Sequence, residues 1–282
     1  MFADRLNRAR SVMADHGVDV MVLSVGADLP YFCGYEAMPL ERLTLLVVPS
    51  DGDASLVVPF LEAPRVVERP DVFEVVSWKD GEDAIALAAG LIGSAGTVAV
   101  GDQTWAGFLV DLVAELPGAR FSRASEVTAP IRSVKDAAEV EALRAAGSAV
   151  DRIAAQIQAG EIPLVGRTEA EVSAQIGRRI VEEGHHKVNF AIVASGPNAA
   201  SPHHDAGDRV IRSGEAVLFD FGGTMADADG VGYCSDITRC VHVGEPTPGF
   251  AELYEVLFAS HAAGVAAATV GTPCEAVDAA AR

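Results

Sequence analysis

Lysine is scarce in this 282-residue chain: only Lys79, Lys135 and Lys187 stand among its 21 basic residues. Against 40 Asp and Glu they leave a formal net charge of −19 and no basic cluster. A nucleic-acid backbone or an anionic membrane surface is excluded as a partner by that balance. The start, Met1-Phe2-Ala3-Asp4-Arg5-Leu6, lacks the apolar run of a signal peptide, and no stretch is apolar enough for a membrane span. The four cysteines, Cys33, Cys234, Cys240 and Cys274, are far apart and form no Cys-x-x-Cys pair. That spacing argues against a disulfide framework or a thiolate zinc site and fits a reducing, cytoplasmic location. Several familiar motifs are missing as well. There is no Gly-x-Ser-x-Gly elbow and no His-Glu-x-x-His. The glycines Gly90, Gly93 and Gly96 follow a helix and precede a strand, the reverse of a dinucleotide fingerprint. Asp227-Ala228-Asp229-Gly230 begins like a calcium loop, but Thr238 stands at the twelfth position. It reads as a turn.

Half of the residues are hydrophobic, enough for a core, and at about 150 residues per domain the length predicts two domains. Leu6, Ala9, Val12 and Met13 repeat at helical spacing before Gly17. Apolar runs at 18–24, 43–49, 55–59, 73–78 and 97–100 have the bordering turn residues of strands, and 83–91 and 104–116 those of helices. This is an α/β pattern. A boundary is expected near Ala129-Pro130-Ile131-Arg132-Ser133. Beyond it, 139–158 is an amphipathic helix with Val140, Leu143, Ala146, Val150 and Ile153 on one stripe. Thr168-x-x-Glu171 is a capping box opening a second helix, which ends near Gly184. Strands are expected at 189–194, 216–221 and 235–243, the last two as an antiparallel pair. A helix follows at 249–270. Thr272-Pro273-Cys274-Glu275 is a further capping box, whose helix has no stop signal before Arg282.

Two histidine pairs invite a metal reading. Adjacent side chains on extended backbone point oppositely, so each pair supplies at most one inward imidazole. His185-His186, beside Gly184, reads as an exposed turn. The more informative feature is two acidic residues on the paired strands, Asp220 after Val217-Leu218-Phe219 and Asp236 before Ile237. Carboxylates opposite one another would have Cβ atoms about 4.5–5.5 Å apart and would repel unless a cation lay between them. The spacing leaves open a plainer reading, in which Asp236 pairs with Arg239 and Asp220 caps a turn.

The segment Ala194-Ser195-Gly196-Pro197-Asn198 through His203, then Asp220, then Tyr233-x-Ser235-Asp236-x-Thr238-Arg239, closely resembles the pita-bread metallopeptidases. These are the Xaa-Pro dipeptidases (prolidases) and aminopeptidase P, with creatinase as a non-metal relative. Tyr31-Phe32-Cys33-Gly34-Tyr35 resembles a motif of their N-terminal domain, and Val134-Lys135-x-x-x-Glu139 their interdomain linker and first catalytic helix. The resemblance implies a creatinase-like α/β domain over 1–128 and a pita-bread α+β catalytic domain over 133–282. It implies that Asp220 and Asp236 are metal ligands and that His203 is a catalytic, substrate-contacting residue. Two divalent ions, manganese or cobalt, a short proline-containing peptide as substrate, and a homodimer are implied with them. Relative to the family, Gly223–Gly230 looks like an insertion at a hairpin tip. The family's other ligands, one His and two Glu, lie on strands beyond the helix begun at Thr272. The expectation is therefore an incomplete catalytic domain with impaired activity, an unpaired sheet edge and exposed apolar surface. The alternative is a non-catalytic dimerisation or peptide-binding module on the same fold.

Overall fold

A computed structural model describes residues 1–282. The chain divides into two compact units, Met1–Leu143 with Ala226–Tyr233, and Arg144–Met225 with Cys234–Arg282.

The first unit opens with helix α1 (Phe2–His16), which buries Leu6, Ala9 and Met13 and ends at Gly17 in the left-handed conformation. Strand β1 (Val20–Leu23), helix α2 (Asp28–Cys33), β2 (Leu45–Pro49), β3 (Ala54–Pro59) and β4 (Phe73–Trp78) follow. Then come α3 (Ala84–Ile92), β5 (Thr97–Val100), α4 (Ala106–Glu115), β6 (Arg120–Arg123) and α5 (Ser125–Ser133). The six strands form one sheet in the order β4-β3-β2-β1-β5-β6. The central strand β1 is apolar at every position because both faces are covered. Met21 and Leu23 enter one buried cluster, and Val20 and Val22 the other.

Three elements of this unit lie outside the expected pattern. Strand β6, Arg-Phe-Ser-Arg, is a sheet edge whose two arginines are exposed, so it has no apolar run. Helix α2 is too short to show periodicity. Helix α5 contains Pro130 and crosses the segment expected to be a boundary. Helix α6 (Ala137–Gln158) follows. Val140, placed on its apolar stripe, is exposed, whereas Ala146, Val150 and Ile153 are buried.

The hairpin tip belongs to the first unit. Val231 and Tyr233 lie in the buried cluster with Phe2, Leu6 and Phe32. Arg5 Nη2 donates to the Tyr233 hydroxyl at 3.0 Å, and that hydroxyl donates to Glu139 Oε1 at 3.3 Å. Arg5 and Glu139 form an ion pair at 3.3 Å with side chains only 2% and 3% exposed. Burial, partly offset by Arg5, pushes the Tyr233 hydroxyl up to about 12.

In the second unit, helix α7 (Glu169–Glu182) begins with the expected capping box. Thr168 Oγ1 accepts from Glu171 N–H at 3.1 Å, and Glu171 Oε2 accepts from Thr168 N–H at 2.9 Å. Strands β7 (Lys187–Ser195), β8 (Glu215–Ala226) and β10 (Ile237–Val243) form an antiparallel sheet ordered β10-β8-β7, with the short β9 (Gly232–Cys234) beside β8. Val150, Ile153 and Ile157 of α6, Val172, Ile176 and Ile180 of α7, and Val193, Val217, Phe219 and Phe221 of the sheet form its core.

Helices α8 (Phe250–Ala267) and α9 (Cys274–Ala281) close the unit. The second expected capping box does not form. Pro273 occupies the cap position without a side-chain bond, and the Thr272 hydroxyl is engaged by Thr269 Oγ1 at 2.8 Å. Strands β10 and β7 are the edges of this sheet, and α8 presents Leu253, Val256, Leu257 and Phe258 to solvent.

Candidate metal centre

The two aspartates sit on the β8–β10 hairpin, and the register fixes their relation. Ile237 is opposite Phe221 and Thr238 is opposite Asp220. Ser235 N–H donates to Gly223 O at 2.9 Å, which continues the same register and sets Asp236 opposite Gly222. The carboxylates are therefore diagonal neighbours and not a directly opposed pair. They share one face, because residues two apart on a strand and residues paired across it point the same way. The other face, with Phe219 and Phe221, is buried in the core.

Gly222 makes this arrangement possible. A Cβ there would lie 2.1 Å from Ser235 O and 3.2 Å from the Asp236 Cα. Thr238 Oγ1 donates to Asp220 Oδ1 at 2.8 Å, leaving Oδ2 free. Asp236 is exposed. The plainer alternative is not realised: Arg239 donates to Thr238 O at 2.8 Å and lies 3.7 Å from Asp151, not against Asp236.

His185 departs from its expected exposed turn. It is 2% exposed, with Nδ1 3.2 Å from Ile180 O and Nε2 2.9 Å from Ser235 Oγ. A carbonyl only accepts, so Nδ1 carries the proton and Nε2 of the neutral ring accepts from the serine. Burial holds this imidazole below the usual histidine range. Ser235 Oγ also accepts from Gly223 N–H at 3.2 Å. The residue beside Asp236 is thus tied to both the helix end and β8.

His203 is exposed in a loop and its ring makes no hydrogen bond. Its neighbour His204 is the inward member of the pair, with Nε2 2.8 Å from Glu169 Oε2. Glu169 is fully buried and also accepts from Ser195 N–H, Ser195 Oγ and Asn198 Nδ2. Burial raises its pKa, but the bonds from Ser195, His204 and Asn198 outweigh that and hold it below the usual glutamate range. Sequence reading missed this group, since its donors lie 26 to 35 residues away.

Residues 140–282 match the model of metallopeptidase family M24, and residues 5–134 that of the creatinase/prolidase N-terminal domain. This chain belongs to the M24 metallopeptidases. It is 40% identical over its whole length to the probable dipeptidase PepE of Mycobacterium tuberculosis, spanning 74% of that protein. Among solved structures, dipeptidase PepE from Mycobacterium ulcerans superposes with a TM-score of 0.83 at 37% identity, over 99% of this chain and 75% of that one. The prolidase from Thermococcus sibiricus superposes at 0.90 with 30% identity, over 100% of this chain and 76% of that one. About a quarter of each relative's length thus has no counterpart among these 282 residues.

M24 peptidases depend on divalent metal ions. In this chain the donor set is partial: no group of three or more His, Cys, Asp and Glu side chains converges in a way that could hold an ion. An oxygen-ligated divalent ion takes about six ligands, so Asp220 and Asp236 do not by themselves complete a site. Both are hard oxygen donors, which suits them to manganese more than to a thiophilic ion.

Proposed function

We propose that this M24 peptidase acts on dipeptides or short peptides with proline in the second position, with an activity that its partial donor set impairs. Asp220 and Asp236 serve as carboxylate ligands of manganese or cobalt, and His203 contacts the peptide. The observation that carries this reading is the common face of the two aspartates. Their placement removes the core from consideration as the reason for their presence, since each points away from Phe219 and Phe221. Asp220 keeps one oxygen free beside its bond from Thr238, and Asp236 keeps both. The His203 ring, exposed and uncommitted, is available to hydrogen-bond a peptide. Similarity to a probable dipeptidase and to a prolidase supports the same substrate class.

The test is proline release from an Xaa-Pro dipeptide by the purified 282-residue protein in manganese. The expected result is release that requires manganese and is abolished by Asp220→Ala and by Asp236→Ala. Release that survives either substitution contradicts the ligand assignment. A folded protein with neither manganese binding nor release contradicts the enzymatic reading of this chain.

A further inference from the structure

The loop bearing His203 contains little regular structure beyond a 3-10 turn at Gly196–Ala200, yet it is fastened at three places to one residue. At its start, Glu169 Oε1 accepts from Ser195 N–H and Ser195 Oγ, both at 2.7 Å, and the Asn198 amide lies 3.2 and 3.1 Å from the two carboxylate oxygens. At its middle, His204 Nε2 meets Glu169 Oε2 at 2.8 Å. At its end, the backbone N–H of Glu169 donates to Arg209 O at 3.0 Å, and that of Ala170 to Gly207 O at 3.0 Å.

The start of the loop is locked from its other side as well. Arg209 Nη1 donates to Ser195 Oγ at 2.6 Å, and the same guanidinium pairs with Glu215. Gly196 has φ 51°, and a Cβ there would lie 2.7 Å from Arg209 Nη2, so a side chain would be strained and would displace that guanidinium. His203 touches none of these groups.

A carboxylate without solvent exposure is costly unless donors surround it, and here most of its donors come from this one loop. We propose that Glu169 is the positioning residue for His203. By holding His204 inward it fixes the turn at Pro202-His203, and in that turn the adjacent His203 ring stands exposed. The inference rests on the reading that His203 contacts the peptide. Glu169 itself meets no substrate. It sets the loop's shape before a peptide arrives, so less ordering remains to be done on binding.

Hydrogen exchange of the full 282-residue protein tests the ordering directly. In Glu169→Gln, amides of 196–208 should exchange at least about tenfold faster while those of α7 and β8 keep their rates. His204→Ala, which releases only the middle of the loop, should act in the same direction and more weakly. Glu169→Asp should restore part of the protection. Unchanged exchange in 196–208, or loosening spread evenly through the unit, overturns the proposal.

Proline release separates positioning from general support. Glu169→Gln should lower kcat/KM about tenfold when His203 is present and less than about twofold in a His203→Ala background. Losses that simply add would place the effect of Glu169 elsewhere and overturn the proposal. If the unsubstituted protein releases no proline, the reading of His203 fails, and the exchange rates still decide whether Glu169 orders the loop.

Discussion

His185 illustrates how one buried imidazole can make the β8–β10 hairpin sensitive to acid. Its ring is neutral in the fold, bonded on one side to Ile180 O and on the other to Ser235 Oγ. Burial lowers its pKa in the folded state below the ordinary histidine range. A proton therefore binds the unfolded chain more readily, and stability rises with pH through this window. The stabilising contribution is complete above about pH 6.5 and is lost as pH falls below it toward the depressed folded value. Urea denaturation at pH 7.5 and pH 5.5 should show a loss that His185→Gln reduces. An equal loss in both proteins would mean that other groups carry the acid response. A doublet beside a glycine looks polar and exposed in sequence, because the partner that justifies burying His185 lies 50 residues away. Glu169 escaped notice for the same reason. Local pattern reports which residues can be charged, not which distant donors will surround them.

At the scale of elements, the hairpin was largely legible and its register was not. Alternation of Val217, Phe219 and Phe221 identifies β8, and its pairing with the strand through Ile237 is antiparallel as expected for consecutive strands. A period of two places Asp220 and Asp236 on one face but leaves the partner of each open. Gly222 decides it, by allowing Ser235 O to approach where a methyl group would stand 2.1 Å away. Gly222→Ala should therefore force the strands apart locally, destabilising the protein by about 1–3 kcal/mol and weakening manganese binding. Denaturation and calorimetric titration of that variant check both effects. Unaltered stability would mean the hairpin opens freely at this point. The capping box at Thr168 was equally legible, being a contact within four residues. That at Thr272 failed because Thr269, a competing partner for its hydroxyl, is just as near. Strand β6 and helix α5 were hidden by exposed arginines and by Pro130, features that ordinarily mark loops and breaks.

On the scale of the whole molecule, the segment Ala226–Tyr233 is the least predictable feature. A glycine- and aspartate-rich tip reads as a tolerant surface loop, and Asp227 does cap a turn by accepting from Asp229 and Val231 N–H. Yet the end of the segment is buried, with Tyr233 joining Arg5 and Glu139 in the first unit. An Arg–Glu pair so enclosed contributes little net stability intact, but removing one partner leaves a charge uncompensated. Glu139→Gln should cost about 3–5 kcal/mol in equilibrium unfolding, and a cost below about 1 kcal/mol would show that Arg5 is satisfied without it. An α/β sheet and an antiparallel acidic hairpin could both be anticipated from composition, periodicity and the family resemblance. The resemblance implies further that Asp220 and Asp236 are metal ligands, which is the assignment proposed above.

Calorimetric titration of manganese into the folded protein and its two single variants bears most directly on that hairpin. If both carboxylates are metal ligands, Asp220→Ala and Asp236→Ala should each weaken binding by at least about tenfold, with unchanged unfolding transitions. Manganese affinity that is the same in all three proteins would contradict the assignment.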